Sequence, residues 1–105
     1  MAQFDVFRNT GPHGADIPYV VVVQSSRLAN YRRRVVVPLV LASRVGPVEP
    51  SLNPRFRIEG VDVVLHPLEM VSVAAERLAE KVGSLKDEGG RIITSIDLVF
   101  SQAWG

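Results

Sequence analysis

The chain has 105 residues, of which 47% are hydrophobic and 22% are charged. These proportions are typical of a globular protein, and the length predicts one domain over residues 1–105 with a single core. The net charge of +1 is too small to indicate nucleic-acid binding. No cysteine is present, which excludes disulfides, thiolate zinc sites and cysteine nucleophiles. We expect a cytoplasmic protein, because the sequence shows neither a signal-peptide pattern nor an apolar run long enough to span a membrane.

The first half of the chain alternates short apolar runs with turn residues, which is typical of an antiparallel β domain. A first strand is predicted over residues 3–8. Its alternation places Phe4 and Val6 on one face. Asp5 and Phe7 then point to the opposite face. The glycines and prolines that follow end this strand.

Two valine-rich runs, Tyr19–Gln24 and Arg34–Leu41, are predicted to form the central strands of the sheet. Branching at Cβ makes valine stiff and suits it to packing on a pleated surface. Pro38 falls inside the second run and has no amide hydrogen to donate. We therefore expect Pro38 at a sheet edge, a bulge or a strand bend.

The second half of the chain begins with a proline-rich loop over residues 46–54. Residues 55–59 then alternate apolar and polar side chains, and residues 61–66 form another apolar run. Glu59 and Gly60 lie between the two runs and are suited to a tight turn. This pattern predicts a β-hairpin.

Residues 70–85 are compatible with two structures. Residues 70–73 look like a strand, but apolar side chains recur near helical spacing over the whole segment, which favours a helix. The residues that carry this spacing are Val71, Ala74, Ala75, Leu78, Val82 and Leu85.

The last segment predicts an amphipathic helix, because its apolar side chains recur at intervals of three and four residues. Ser84 and Asp87 or Glu88 offer a cap and negative charge at its N-terminus. Two consecutive glycines cost about 1 kcal/mol each inside a helix, so the regular part is expected to begin near Arg91. The apolar positions are Ile92, Ile96, Val99 or Phe100, and Ala103.

The chain offers few groups for catalysis. His13 and His66 are distant in sequence and fall in no motif, whereas a hydrolytic zinc site needs about three protein ligands. Ser25 and Ser26 follow a strand without a nucleophile elbow, and turn formation explains them. The glycines lack the spacing of a phosphate-binding loop. We expect no catalytic residues, no metal and no cofactor.

Several segments, in order along the chain, resemble the CcdB family of toxins from bacterial toxin–antitoxin pairs. Residues 41–55 match poorly and carry no weight. The resemblance rests on Gln3-Phe4-Asp5-Val6-Phe7, Val22-Val23-Gln24-Ser25, Arg33-Arg34-Val35-Val36-Val37-Pro38-Leu39, Met70-Val71-Ser72-Val73, and residues 92–100 with Ile96-Asp97-Leu98.

The resemblance implies a mainly β fold, an SH3-like barrel made of an antiparallel sheet with a small second sheet and closed by a C-terminal helix. It implies short strands over residues 70–83, and we adopt these in place of the helix. It also implies a homodimer that binds the A subunit of DNA gyrase, traps gyrase on cut DNA and is neutralised by a CcdA-like antitoxin. Such a toxin is not an enzyme, has no membrane partner and reaches DNA only through gyrase or the antitoxin.

The resemblance assigns gyrase binding to both ends of the chain and to the turn after the second strand. In the family pattern, a tryptophan tends to follow the match of Phe100 directly, whereas here it stands at position 104 and would share a helix face with Phe100. Arg27 replaces an aliphatic residue that is frequent in the family. The assigned residues are Gln3, Phe4, Phe7, Ser25, Leu28, Asp97, Phe100, Trp104 and Gly105.

The arginine run Arg32, Arg33 and Arg34 is a candidate antitoxin contact, because these residues could pair with an acidic, disordered segment that folds on binding. A charged strand start that discourages edge-to-edge pairing explains the run as well.

Two other functions stay open. The first is an endoribonuclease of the MazF/Kid type, which resembles CcdB in fold and cuts RNA; fold alone does not exclude it. The second is a chromosomal relative that keeps antitoxin binding and has lost toxicity.

Overall fold

Among residues 1–101, seven strands form one sheet, and every strand pair in it is antiparallel. The computed structural model describes residues 1–101. The curled sheet and the helix that follows it confirm the predicted mainly β barrel-like fold with a C-terminal helix. The elements are β1 (Asp5–Arg8), β2 (Tyr19–Val22), β3 (Arg33–Leu41), β4 (Arg55–Ile58), β5 (Val61–Leu65), β6 (Val71–Ala74), β7 (Lys81–Ser84) and α1 (Gly89–Phe100).

The long strand β3 lies at the centre of the sheet, whose order is β4-β5-β3-β2-β1-β7. One edge of β3 pairs with β2, and the other edge pairs first with β6 and then with β5. Pro38 lies where the partner changes from β6 to β5, and its carbonyl accepts a hydrogen bond from the His66 amide at 3.1 Å. The missing amide of Pro38 therefore faces a gap between two ladders, where it costs no ladder hydrogen bond.

The two faces of the sheet are both apolar and bury two separate clusters. Val6 lies in the main core between the sheet and α1, and Phe4 packs against this core. Phe7 lies on the opposite face in a small cluster with Val22, Val36 and Leu78. The predicted alternation of β1 is therefore confirmed. The buried members of the main core are Val6, Tyr19, Val21, Val23, Val37, Leu39, Phe56, Ile58, Val63, Leu65, Leu85 and Ile92.

The β4–β5 hairpin is confirmed, with Ile58 paired to Val61 across a two-residue turn. Glu59 and Gly60 both have positive φ, at 52° and 77°. Positive φ at both central residues is the conformation that matches the twist of a tight hairpin, and glycine adopts it without steric cost.

The helix that periodicity favours over residues 70–85 is wrong, and the short strands implied by the family resemblance are present. This segment forms β6, a single 3₁₀ turn over Ala75–Arg77, and β7. Val71 and Val73 alternate with Ser72 along β6, which pairs with the first half of β3. The apolar residues of a strand and of the turn after it happen to fall near helical spacing. Spacing alone cannot distinguish this arrangement from a helix, because it contains no information on the pairing with β3.

The C-terminal helix is confirmed, but it begins at Gly89, two residues before the expected start. Its N-cap residue Glu88 makes no side-chain capping hydrogen bond. Ser84 instead accepts a hydrogen bond from the amide of Lys86 at 3.2 Å, just before the 3₁₀ turn Lys86–Glu88, whose N-cap residue is Leu85. No helix within residues 1–101 is long and apolar enough to cross a membrane.

The loop between β3 and β4 is tied to the core although it contains no regular structure. The buried side chain of Asn53 donates to the Leu65 carbonyl at 3.1 Å, and its Oδ1 accepts from the Glu49 amide at 3.1 Å. Ser95 of α1, which is fully buried, donates to the Leu52 carbonyl at 2.5 Å. These bonds hold the loop against the helix.

The position of α1 on the sheet predicts opposite outcomes for two neighbouring isoleucines. Ile92 is fully buried and Ile93 is 39% exposed. We expect Ile92→Ala to lower the free energy of unfolding by about 2–5 kcal/mol through lost burial and a cavity, and Ile93→Ala to lower it by less than about 1 kcal/mol. Urea unfolding of both variants measures this. Equal losses would contradict the helix orientation.

Candidate protein-interaction site

The N-terminal residues assigned to gyrase binding are brought together with the turn after β2. The Gln3 side chain donates to the Val23 carbonyl at 3.0 Å, and the Gln3 amide donates to the Ser26 hydroxyl at 3.2 Å. Ser25 caps the 3₁₀ turn Ser26–Leu28 by accepting from the Arg27 amide at 3.2 Å. Leu28 is 44% exposed. We call Gln3, Ser25 and Leu28 the N-terminal patch.

A second group of assigned residues lies at the end of α1. Asp97 is exposed, and Phe100 is 70% exposed. Ile93, seven residues before Phe100, lies within about 20° of it around the helix axis and is also exposed. An exposed aromatic ring of this size is typical of a surface that binds a partner. We call Asp97 and Phe100 the helix-end patch.

Two assigned residues contribute to the two cores. Phe7 is 5% exposed, so its ring serves the small core. Phe4 is half-buried and packs against the main core. Trp104 and Gly105 lie outside the described residues. Among the candidates within residues 1–101, Leu28, Asp97 and Phe100 are therefore exposed, and Gln3 and Ser25 are half-buried beside Leu28.

The two patches lie toward opposite ends of α1. Phe4, next to the N-terminal patch, lies against Gly89 at the first residue of the helix. Phe100 follows Gly89 by a distance of about 16 Å along the axis, at about 1.5 Å per residue. A partner that touches both patches of one chain must therefore span roughly the length of the helix.

The three consecutive arginines have different surroundings. Arg34 is buried, and its guanidinium donates to the carbonyls of Ala29, Tyr31 and Arg33. It therefore closes the loop before β3.

The neighbouring Arg33 is exposed and donates to Ser72, at 2.9 Å to the hydroxyl and 2.6 Å to the carbonyl. This contact covers part of β6, which pairs only with β3 among the described strands. The edge-protecting role considered from the sequence thus has a structural basis at Arg33. Arg32 is exposed.

Both histidines line one cavity of about 520 Å³, a proximity that sequence reasoning missed. Asp16, Arg44 and Glu69 line it as well. His13 lies in the loop before β2 and His66 directly follows β5, and both strands flank β3 near Pro38. The strands were predicted without their pairing to β3, so no sequence signal indicated this proximity. Within residues 1–101, no group of three or more histidine, aspartate or glutamate side chains is arranged to hold a metal ion.

An apolar cavity of about 310 Å³ adjoins the histidine cavity, since Ile17 and Pro38 line both. It lies on the outer face of the sheet over Val20 and Val73, and Arg77 also lines it. The two cavities make a groove on the face opposite α1.

A charged cluster ties the β4–β5 turn to β1 and β2. The Tyr19 hydroxyl donates to Glu59 at 2.7 Å, and Arg8 donates to both Glu59 oxygens at 3.0 and 3.2 Å. Arg8 also lies 3.0 Å from Glu80. The hydrogen bond from Tyr19 and then Arg8 lower the pKa of Glu59. Burial, followed by the hydrogen bond to Glu59, raises the pKa of Tyr19.

The lowered pKa of Glu59 predicts a pH-dependent contribution to stability. Because the folded state favours the ionised carboxylate, the stability that it adds is present above about pH 5 and is lost as pH falls through the lowered pKa. We expect wild type to be more stable than Glu59→Gln at pH 7, with the difference closing toward pH 3.

Urea unfolding across this pH range measures the effect. Glu76→Gln is the control, because the exposed Glu76 forms no ion pair in the described part of the chain. A wild-type advantage over Glu59→Gln that is independent of pH would contradict the assignment.

Comparison with known proteins identifies the family. The chain matches the family model described as CcdB protein over residues 3–102 of its 105. No curated protein matches the chain. The matched range includes both patches, every described strand and the helix. The chain therefore belongs to the CcdB family and is a toxin of a toxin–antitoxin pair.

Proposed function

We propose that this toxin binds the A subunit of DNA gyrase and inhibits the enzyme, a type II topoisomerase, by trapping it on cleaved DNA. The observation that carries the proposal is the exposure of Phe100, which leaves a large aromatic ring in solvent at the end of α1. Buried aromatic anchors supply much of the affinity at protein interfaces. Membership of the CcdB family supports gyrase as the partner.

Inhibition in this proposal arises from binding, so the toxin itself is not an enzyme. Binding requires shape and charge complementarity at the contact surface and no group that exchanges protons or electrons with a substrate. The helix-end patch offers an aromatic ring beside a carboxylate, and the N-terminal patch offers an aliphatic side chain beside polar groups. Both are combinations that interfaces use.

The proposed gyrase surface consists of the two patches, extended by Trp104 and Gly105. Phe7 supports this surface from the small core. Truncation of a tryptophan anchor commonly costs about 2 kcal/mol or more, which is roughly thirtyfold in affinity. We assign Trp104 this role, with Phe100 as its neighbour.

We also propose that the toxin is a homodimer. Apolar side chains stay exposed outside the two patches, with Leu68 at 65% and Val71 at 50%. A symmetric pair would bury such side chains on both of its subunits. A dimer would also present two copies of the helix end to the paired A subunits of gyrase.

A CcdA-like antitoxin is the proposed second partner. An acidic segment that folds on binding would pair with Arg32 and Arg33, which are exposed. Arg34 supports this contact indirectly, because its guanidinium holds the preceding loop through three carbonyls.

One observation favours the alternative of an endoribonuclease of the MazF/Kid type. His13, His66 and Arg44 line one cavity, and imidazole groups beside a cation can move protons and hold a phosphate. The apolar patches have no role in that reaction, so we rank it second. A relative that keeps antitoxin binding without toxicity would show neither activity.

The tail provides the test of the gyrase proposal. We expect the full chain to inhibit supercoiling by the gyrase of its own host and to leave RNA intact. Removal of Trp104 and Gly105 should weaken inhibition by thirtyfold or more, because the main anchor is lost, and should leave the urea unfolding midpoint unchanged. Phe100→Ala should weaken inhibition as well.

His13→Ala with His66→Ala is the matched control, since it alters the groove and leaves both patches intact. This variant should inhibit gyrase as wild type does. A wild-type chain that cleaves RNA and does not inhibit gyrase, together with loss of the cleavage in this variant, would establish the endoribonuclease instead.

The antitoxin contact predicts a salt-dependent loss of affinity. Reversing Arg32 and Arg33 together to glutamate should weaken antitoxin binding about tenfold at low salt and less at high salt, because exposed charges are screened. Titration calorimetry at two salt concentrations measures this. Arg55→Glu on β4 is the control with a single reversed exposed charge. Unchanged affinity at both salt concentrations would remove these arginines from the interface.

A further inference from the structure

Phe4 has a backbone conformation that bulky residues rarely adopt. Its φ is 72°, in the left-handed region, and a phenylalanine there carries steric strain. Such strain persists only where the surrounding structure holds the residue firmly. Phe4 is held in this way from three directions.

The backbone of Phe4 bridges two segments that are distant in sequence. Its amide donates to the Val22 carbonyl at 2.6 Å, at the end of β2. Its carbonyl accepts from the Leu85 amide at 2.8 Å, in the segment that leads into α1. Phe4 therefore joins the strand before the Ser26–Leu28 turn to the entry of the helix.

The ring of Phe4 makes the third contact, against the backbone of Gly89. A Cβ atom at position 89 would lie 2.5 Å from Cε2 of Phe4 and 3.0 Å from Cδ2 and Cζ. Real Cβ atoms do not approach another atom that closely, so a side chain at position 89 must displace either the ring or the helix. A Cβ at the neighbouring Gly90 would meet nothing within 4 Å.

We propose that Phe4 and Gly89 form a positioning contact that sets the orientation of α1 relative to the N-terminal patch. In this proposal Phe4 affects gyrase binding by holding the two patches in place, and it is therefore a positioning residue. This inference rests on the proposed gyrase surface and explains how its two separated parts keep one arrangement. Gly89 is the complementary half of the contact, because only glycine leaves room for the ring.

The length of the helix amplifies any change at this contact. A rotation of about 10° at Gly89 would move Phe100, roughly 16 Å along the axis, by about 3 Å. Binding sites tolerate errors of about 0.5 Å and 10–20° before function is lost. A displaced ring at the start of α1 therefore suffices to misplace the helix-end patch.

Gly89→Ala is the test, with Gly90→Ala as its matched control on the same helix. Gly89→Ala should weaken gyrase inhibition at least tenfold while the protein stays folded at the assay temperature. Gly90→Ala should inhibit as wild type does, because its methyl group meets open space. Equal inhibition by wild type and folded Gly89→Ala would overturn the proposal.

A compensating substitution separates positioning from a loss of stability. Phe4→Leu shortens the side chain that a methyl group at position 89 meets, so Phe4→Leu with Gly89→Ala should recover inhibition to within about threefold of Phe4→Leu alone. This double variant also carries the test if Gly89→Ala does not fold. Failure of the double variant to recover, while folded, would count against the contact.

A measurement without gyrase distinguishes failure of this inference from failure of the proposed function. The chain has no cysteine, so the exposed positions Arg27 and Leu98 can be changed to cysteine (Arg27→Cys and Leu98→Cys) and spin-labelled without removing a residue of either patch. Labelled protein diluted with unlabelled chains should show a shifted or broadened distance distribution in Gly89→Ala and an unchanged one in Gly90→Ala. Identical distributions in all backgrounds would overturn the positioning contact even if gyrase is inhibited.

Discussion

The pairing of β3 with three other strands is the constraint on which the structure depends. β2 occupies one edge of β3, and β6 and β5 divide the other edge at Pro38. Because a residue without an amide hydrogen falls at that division, the sheet changes partner there without leaving an unpaired donor. The groove on the outer face lies at this division, since Pro38 lines both of its cavities.

A sheet with two apolar faces needs cover on both sides, and this chain supplies it unequally. The helix α1 covers the main core, with Ile92 and Ser95 fully buried beneath it. In the described part of the chain, Leu78 and neighbouring loops cover Phe7, Val22 and Val36 on the opposite face. Phe100 at the helix end and Leu28 in the N-terminal patch lie outside both cores and stay in contact with solvent, where they form part of the surface proposed to bind gyrase.

Much of the fold was predictable because short-range patterns agreed with the final pairing. The valine runs became β2 and β3, and Glu59-Gly60 turned the hairpin because two positive φ angles fit that turn. The periodicity of residues 70–85 predicted the wrong structure, since Val71 and Val73 form a strand by pairing with β3, which is distant in sequence. The candidate site residues were assigned by the family resemblance, which left open whether Phe4, Phe7 and Arg34 were exposed.

The sequence by itself determined a β-rich fold with a terminal helix, and its motifs were sufficient to indicate the CcdB family. Side-chain period, turn chemistry and motif order are properties of neighbouring residues, so they can be read without the tertiary structure. Only the tertiary structure decided that Phe4 lies against Gly89, that Arg34 binds carbonyls beside its exposed neighbours, and that His13 and His66 share a cavity. Each of these joins residues from different strands or loops, and such a contact depends on how the sheet curls and where the helix docks.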